Sequence, residues 1–134
     1  MQHNEKGSQR DLVLYRIETA KSDVKSAKIL LEAGEYRGAN NRAYYGIYHT
    51  ISAIHALDGN AYKRHKDALA NFNKNYIKTE IFPRTLGRIA EAEEIRHASD
   101  YDDFYLATRE EAEEQIATAI ELIEKVEEYV GSKI

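Results

Sequence analysis

Apolar residues recur every three or four positions along almost the whole chain, and only one proline interrupts the pattern. The first such segment begins at Ser8 and continues to Gly34. Spacings of three and four place these residues on one face of an α-helix, whereas a strand would require alternation. One proline and seven glycines leave few points at which a helix must stop. The sequence therefore predicts an all-α protein.

Turn and capping residues predict where the helices end. We expect five helices, over about residues 8–33, 36–57, 62–76, 83–97 and 104–130. Gly34 suits the left-handed end of the first helix, and Pro83 suits the first position of the fourth. The polar run Ser99–Asp103 suits a break with capping oxygens before the fifth. Because the connections are short, we predict an up-and-down helical bundle whose first, second and last helices are the longest.

Composition excludes several classes of protein. The 134 residues include no cysteine, which excludes disulfides, a thiol nucleophile and cysteine-ligated metals. Because no apolar run could cross a bilayer, we expect a cytoplasmic protein without membrane contact. We expect one domain over residues 8–131, preceded by a flexible N-terminus at 1–7. His49 and His55 lack metal-pair spacing and have no acidic residue beside them, so we expect no metal and no other cofactor.

Charge is distributed unevenly along the chain. Residues 60–88 carry a balance of +5, and residues 89–134 carry −10. The densest basic cluster is KRHK, at Lys63–Lys66. Such clusters attract nucleic acid or nucleotide phosphate. The alternative is that the basic and acidic segments neutralise each other within the bundle or between subunits.

The second predicted helix contains the stretch RAYYGIYHTISAIHAL, which mixes polar and apolar residues. Arg42, Tyr45 and His49 are three and four residues apart, so they share one face. A guanidinium, a phenol and an imidazole on one face can bind phosphate and stack on a base. The alternative is that the tyrosines are core-edge residues whose hydroxyls reach water or a carbonyl.

A second polar cluster, RHASDYDDFY, occupies Arg96–Tyr105. We expect Arg96 to lie near His65 or Asp100 and to bind phosphate. The alternative is that Arg96 pairs with the nearby acids and holds the break between two helices.

Three blocks of sequence together resemble small prokaryotic HEPN-domain proteins, over roughly residues 13–129. RAYYGIYHTISAIHAL is similar to their R-x-Y-Y-x-x-(aromatic)-x-x-x-x-A-L helix. KRHKDALANFNKNYIKT is similar to a K-H-x-x-x-x-x-F block, with one arginine inserted, and IRHASDYDDFY to an R-x-x-(small)-D-Y block. The resemblance implies a helical bundle that usually dimerises. It also implies a frequent pairing with a small nucleotidyltransferase, often in toxin–antitoxin systems.

Some proteins of this family are metal-independent ribonucleases, in which an arginine is followed after four to six residues by a histidine. The arginine corresponds here to Arg96, but the fifth residue after it is Tyr101, whose phenol titrates near pH 10. A looser match pairs Arg42 with His49. If the protein is catalytic, Arg96 and His49 are the candidates. The predicted phosphate-binding set is Arg42, Tyr45, His49, Lys63, His65, Arg96, Asp100 and Tyr101.

Three functions remain open. The favoured one is a nucleotide- or RNA-binding module that acts with a nucleotidyltransferase partner, without necessarily being an enzyme. The second is a metal-independent ribonuclease toxin, and the third is a structural dimerisation module without a ligand. We also expect a symmetric homodimer, because the three tyrosines beside an apolar stripe offer more adhesive surface than one bundle needs.

Overall fold

The computed structural model describes residues 5–83, 86 and 89–134. Within them lie five α-helices and one π-helical turn, at Asn73–Ile77. The α-helices are α1 (Glu5–Glu32), α2 (Tyr36–Leu57), α3 (His65–Phe72), α4 (Ile89–Tyr101) and α5 (Arg109–Lys133). These residues include no strand, so the all-α prediction is confirmed. The three longest helices are α1, α2 and α5, with 28, 22 and 25 residues, as predicted.

Contacts between helices establish an up-and-down order. Arg16 donates to the Ser52 carbonyl at one end of α1, and Asp23 meets Arg42 further along, so α1 and α2 are antiparallel. Contacts of α2 with α4 also run in opposite directions along the two chains. Contacts of α2 with α5 run in the same direction. Thus α1 and α4 run one way, and α2 and α5 run the other.

The predicted apolar stripes form the core. In α1 they are buried from Val13 to Ala27, and in α2 from Ala43 to Ile54. The predicted stripe of α5 is buried throughout, at Ala112, Ile116, Ala119, Ile123, Val126 and Val130. Gly34 lies in the turn that follows α1 and has a φ of 78°, the left-handed conformation predicted for the end of this helix. Packing of amphipathic faces, which the periodicity revealed, is thus what holds the bundle together.

The predicted break at Ser99–Asp103 was wrong for its first three residues, which continue α4. Ser99 is buried and accepts a hydrogen bond from Asn40 on α2, at 3.1 Å. This contact with another helix stabilises one more turn of α4 than the local sequence predicted. The predicted start of α5 at Phe104 was also early. The helix begins after Thr108, whose hydroxyl accepts from the Glu111 backbone N–H at 3.1 Å.

The third and fourth helices also begin later than predicted. His65, rather than Tyr62, begins α3, and α3 passes into the π-helical turn at Asn73. Pro83 lies outside a helix, and α4 begins at Ile89. Of the residues between these two, 84, 85, 87 and 88 lie outside the described part of the chain. Residues 1–4 of the expected flexible N-terminus also lie outside the described part of the chain. The helix α1 begins at Glu5, within the segment that was expected to be flexible.

The three tyrosines at positions 44, 45 and 48 of α2 are not an exposed adhesive surface. Tyr44 is fully buried, and Tyr45 and Tyr48 are half-buried. The most exposed large apolar residues lie instead between α4 and α5, where Phe104 is 97% and Leu106 is 82% exposed. These tyrosines therefore do not supply the exposed surface on which the predicted homodimer was based.

No helix among the described residues is long and apolar enough to cross a membrane.

His55, on α2, belongs to the core. The centroid of its ring lies 4.8 Å from that of the Tyr62 ring, and burial lowers the pKa of its imidazole.

Candidate functional site

Side chains from α2, α3 and α4 gather around the ring of Tyr45. We call this group the Tyr45 cluster, and its members are Arg42, Tyr44, Tyr45, Tyr48, His49, His65 and Arg96. Five of them lie 5.0–6.1 Å from the Tyr45 ring centroid, measured to a ring centroid or a guanidinium carbon. The sixth, Tyr48, lies 3.8 Å from the His65 ring centroid. Around Tyr45, itself a predicted site residue, therefore lie four of the other predicted site residues, namely Arg42, His49, His65 and Arg96.

Tyr44 forms the buried floor of the cluster. Its hydroxyl lies 2.7 Å from Nδ1 of His65, within hydrogen-bonding distance. Burial, and to a smaller extent the nearby Glu93 carboxylate, raise the pKa of Tyr44 well above its usual value. The phenol therefore stays protonated at neutral pH and holds the His65 ring in position.

Arg96 lies over this floor, with its guanidinium carbon 5.1 Å from the Tyr44 ring centroid. Its side chain is only 12% exposed. Its ion pairs with Glu93 and Asp100 are both 3.6 Å long, which exceeds normal hydrogen-bond distance. Its Nε has no acceptor among the described residues. Arg96 thus lies near Asp100, as predicted, and keeps an unused buried donor.

His65 connects α3 to the cluster. Its ring stacks on Tyr48 and contacts Tyr44 and Tyr45. Burial lowers the pKa of its imidazole, an effect that the Arg96 charge strengthens and the Glu93 carboxylate opposes. His65 is therefore mainly neutral at pH 7, and one ring nitrogen can accept a proton.

Asp23 on α1 completes the opposite side of the cluster. One carboxylate oxygen lies 2.7 Å from Nδ1 of His49, and the other lies 3.3 Å from a terminal nitrogen of Arg42. The expectation that no acid lies beside His49 was therefore wrong, since the acid comes from another helix. The Asp23 side chain is 10% exposed, and the carboxylate fixes which imidazole nitrogen faces outward.

Sequence reasoning missed Asp23, although a signal was present. The residue lies three positions after Ala20 and four before Ala27, inside the apolar stripe of α1. A carboxylate at such a position is costly to bury unless a partner is present. An acidic residue in an otherwise apolar stripe therefore indicates a tertiary partner.

Hydrogen bonds on α2 connect the two arginines of the cluster. Arg42 donates to the Asn41 side-chain oxygen at 3.2 Å, and Asn41 donates to Asp100 at 2.8 Å. Asp100 in turn pairs with Arg96. Asp100 therefore supports the cluster from its edge.

Besides Asp100 at its edge, two more of the predicted site residues lie outside the cluster. Lys63 is exposed in the segment before α3 and makes no hydrogen bond or ion pair with the described residues of the cluster. Tyr101 is 68% exposed at the end of α4, where its ring lies 4.9 Å from the His97 ring. Its position five residues after Arg96 turns it away from the guanidinium, because five residues are well over one helical turn.

A groove of about 500 Å³ lies beside the cluster, between the start of α3 and the outer face of α4. Its lining residues are Lys66, Glu93, Glu94, His97, Ala98 and Asp102. Glu93 belongs to both the groove and the ion pairs of Arg96. Across the part of the chain that the structure describes, no three His, Asp or Glu side chains are grouped as metal ligands would be.

The HEPN domain family matches residues 13–129 of this chain. The chain is also similar to a "UPF0332 protein" of Thermotoga maritima, with 27% identity over 120 residues that cover 89% of this chain and 91% of the relative. It is 30% identical to "Putative toxin MJ0605" of Methanocaldococcus jannaschii over 118 residues, 87% of each chain. A second "Putative toxin" of that organism is 29% identical over 87% of this chain and 80% of its own. Because the family match spans most of the residues, this protein belongs to the HEPN domain family.

Proposed function

We propose that this protein binds a nucleotide or RNA at the Tyr45 cluster and acts with a nucleotidyltransferase partner in a toxin–antitoxin pair. The toxin role is supported by two similar proteins of Methanocaldococcus jannaschii, each of which is named a putative toxin. The partner is supported by the resemblance of three sequence blocks to HEPN proteins that are often paired in this way.

The binding proposal rests on the surroundings of the Arg96 side chain. Its guanidinium is largely buried against Tyr44, its two carboxylate partners are 3.6 Å away, and its Nε donor has no acceptor among the described residues. A buried guanidinium with donor capacity to spare is suited to a phosphate, which accepts short charge-assisted hydrogen bonds. The half-buried rings of Tyr45 and Tyr48 beside it offer surfaces on which a base can stack.

Replacing Arg96 with alanine is expected to weaken binding of single-stranded RNA about ten- to a hundredfold. This is the loss of a charge-assisted phosphate contact worth about 1.5–3 kcal/mol. Fluorescence anisotropy with a labelled random-sequence RNA pool, at constant salt concentration, measures the affinity.

The matched control for Arg96→Ala is Arg10→Ala, which removes the same charge from an exposed position on α1. We expect its affinity to stay within about twofold of the wild type, since a distant surface charge is largely screened. Circular dichroism verifies that both variants are folded. Equal affinities of a folded Arg96→Ala variant and the wild type would exclude Arg96 from the binding site.

We further propose a symmetric homodimer that buries the apolar side chains of the α4–α5 connection. Phe104 and Leu106 are almost fully exposed there. Arg37 donates to the Asp102 and Tyr105 carbonyls at 2.6 Å each, which holds this connection in shape. An ordered segment that presents two large apolar side chains resembles the anchor of an interface more than a solvated loop.

Light scattering is therefore expected to give the mass of a dimer for the wild type and of a monomer for the double variant Phe104→Ser, Leu106→Ser. The control is Ile29→Ser, which removes an apolar side chain that is 61% exposed on α1. We expect the control to remain dimeric. A wild-type protein that is monomeric at high concentration would contradict the dimer.

A further inference from the structure

We propose that the ligand is a strand of single-stranded RNA whose backbone leaves the Tyr45 cluster and continues along a row of exposed lysines on α3 and the π-helical turn. The row consists of Lys66, Lys74 and Lys78, and we call it the lysine row. It begins one residue after His65, which belongs to the cluster. This inference rests on the proposed function, because it starts at the same site, and it selects RNA over a free nucleotide.

The spacing of the three lysines places them on one side of the helix. Positions 66, 70, 74 and 78 are four residues apart, and residues at this spacing lie one above the other on a helix. In a regular α-helix such a series drifts by about 40° every four residues, because one turn takes about 3.6 residues. The wider π-helical turn at Asn73–Ile77 opposes this drift. The row is therefore straighter than it would be in a regular α-helix.

The lysine row lies opposite the side of α3 that packs on the core. Its three side chains are exposed, whereas Leu69 and Phe72 are buried on the other side. Among the described residues, none of the three lysines makes an ion pair. Neutralisation of the basic segment within the same bundle therefore does not apply to this row, and its charges are available to a ligand.

The charges around the cluster determine the direction in which a strand can leave it. On the α4 side, the groove beside the cluster is lined by Glu93, Glu94 and Asp102, whose carboxylates repel a phosphate backbone. On the α1 side, Asp23 also brings a carboxylate to the edge of the cluster. The α3 wall of the groove instead presents Lys66, at the start of the row. A strand of phosphates is therefore attracted along α3 and repelled along α4.

The lysine row is long enough for several nucleotides. Lys66 and Lys78 are twelve positions apart, which corresponds to about 18 Å of helix. This length spans about five phosphates of a stacked strand, at about 3.4 Å each. A free mononucleotide held by Arg96 would leave most of the row unused. Because a lysine neutralises a phosphate whatever base it carries, the row should strengthen binding without selecting a sequence.

The test compares two fluorescein-labelled oligouridines, a trinucleotide and a dodecanucleotide, by fluorescence anisotropy over a series of salt concentrations. We expect the wild type to bind both, and the dodecanucleotide to show the steeper dependence of log affinity on log salt concentration. A longer strand offers more registers, which raises its affinity but leaves this slope unchanged. The slope is therefore the deciding measurement.

The triple variant Lys66→Gln, Lys74→Gln, Lys78→Gln removes three charges and keeps side chains that suit a helix about as well as lysine. We expect its affinity for the dodecanucleotide to fall about ten- to a hundredfold at low salt, and the steepness of its salt dependence to decrease by about two. Its affinity for the trinucleotide, which the cluster alone can hold, should stay within about threefold.

The matched control removes the same charge from α1, through Lys21→Gln, Lys25→Gln and Lys28→Gln. These lysines border the groove between α1 and α5 and do not line the groove beside the cluster. We expect the control to bind the dodecanucleotide with the wild-type salt slope and an affinity within about twofold. Circular dichroism verifies that both triple variants are folded.

The outcomes separate the lysine row from the proposed binding site. If the folded wild type binds both oligouridines with the same slope, the row is wrong while binding at the cluster stands. If it binds neither, both proposals fail. A loss that the α1 variant reproduces would also overturn the row, because it would reflect net charge alone. So would unchanged RNA binding together with a changed mass in light scattering, which would assign these lysines to a contact between two copies of the chain.

Discussion

Replacing Tyr44 with alanine is expected to lower the free energy of unfolding by about 3–5 kcal/mol, the usual cost of removing a buried aromatic ring. Tyr44 is fully buried, and its ring contacts Tyr45, Tyr48, His65 and Arg96. Urea denaturation followed by circular dichroism measures the change.

Two further tyrosine variants test this expectation, one at Tyr44 itself and one at an exposed tyrosine. Tyr44→Phe keeps the ring and loses the contact with Nδ1 of His65, so we expect a smaller loss of about 1 kcal/mol. Tyr15→Ala removes a tyrosine that is 70% exposed on α1, and its effect should stay within about 0.5 kcal/mol. Similar losses for Tyr44→Ala and Tyr15→Ala would contradict the buried position of Tyr44.

Replacing Phe72 with alanine is the second change for which we expect a loss of about 3–5 kcal/mol. Phe72 is fully buried at the end of α3 and packs on Tyr76 at 5.2 Å and on Phe82 at 5.7 Å between ring centroids. Since α3 has only eight residues, it depends on this packing rather than on its own helical stability. Because His65 begins the same helix, the variant should also weaken RNA binding.

Amide hydrogen exchange distinguishes a local effect from a general one. We expect α3 in Phe72→Ala to exchange faster than α1 and α5, because the helix loses its anchor to the core. The matched control is Phe72→Leu, which keeps most of the apolar volume and should cost less than about 1.5 kcal/mol. Uniformly faster exchange in all helices would show that Phe72 supports the whole bundle and not α3 in particular.

Local sequence patterns were sufficient for most of the fold. Each apolar stripe depends only on residues three and four positions apart, so the buried faces of α1, α2 and α5 could be read directly. Gly34 ends its helix through a backbone conformation that glycine adopts easily. The start of α5 could have been predicted as well, because Thr108 and Glu111 have the spacing of a capping box.

Part of the candidate site was equally local. Arg42, Tyr45 and His49 lie on one face of a single helix, and helical geometry alone brings them together. Lys63 and Tyr101 were predicted to belong to the same site, but both lie outside the Tyr45 cluster. Their proximity in sequence to His65 and Arg96 does not determine the direction in which each side chain points.

Helical periodicity shows which face of each helix is buried, but it contains no information on which faces meet. The packing of α1 against α2 places the Asp23 carboxylate on His49, and the packing of α4 against α2 places Arg96 over Tyr44. The same packing extends α4 through Ser99, because the buried amide of Asn40 donates to its hydroxyl. These contacts join residues 26 to 59 positions apart in the chain. The all-helical fold and the polar face of α2 therefore follow from local sequence, whereas the charges and partners that give this face its chemistry arise only when the helices pack.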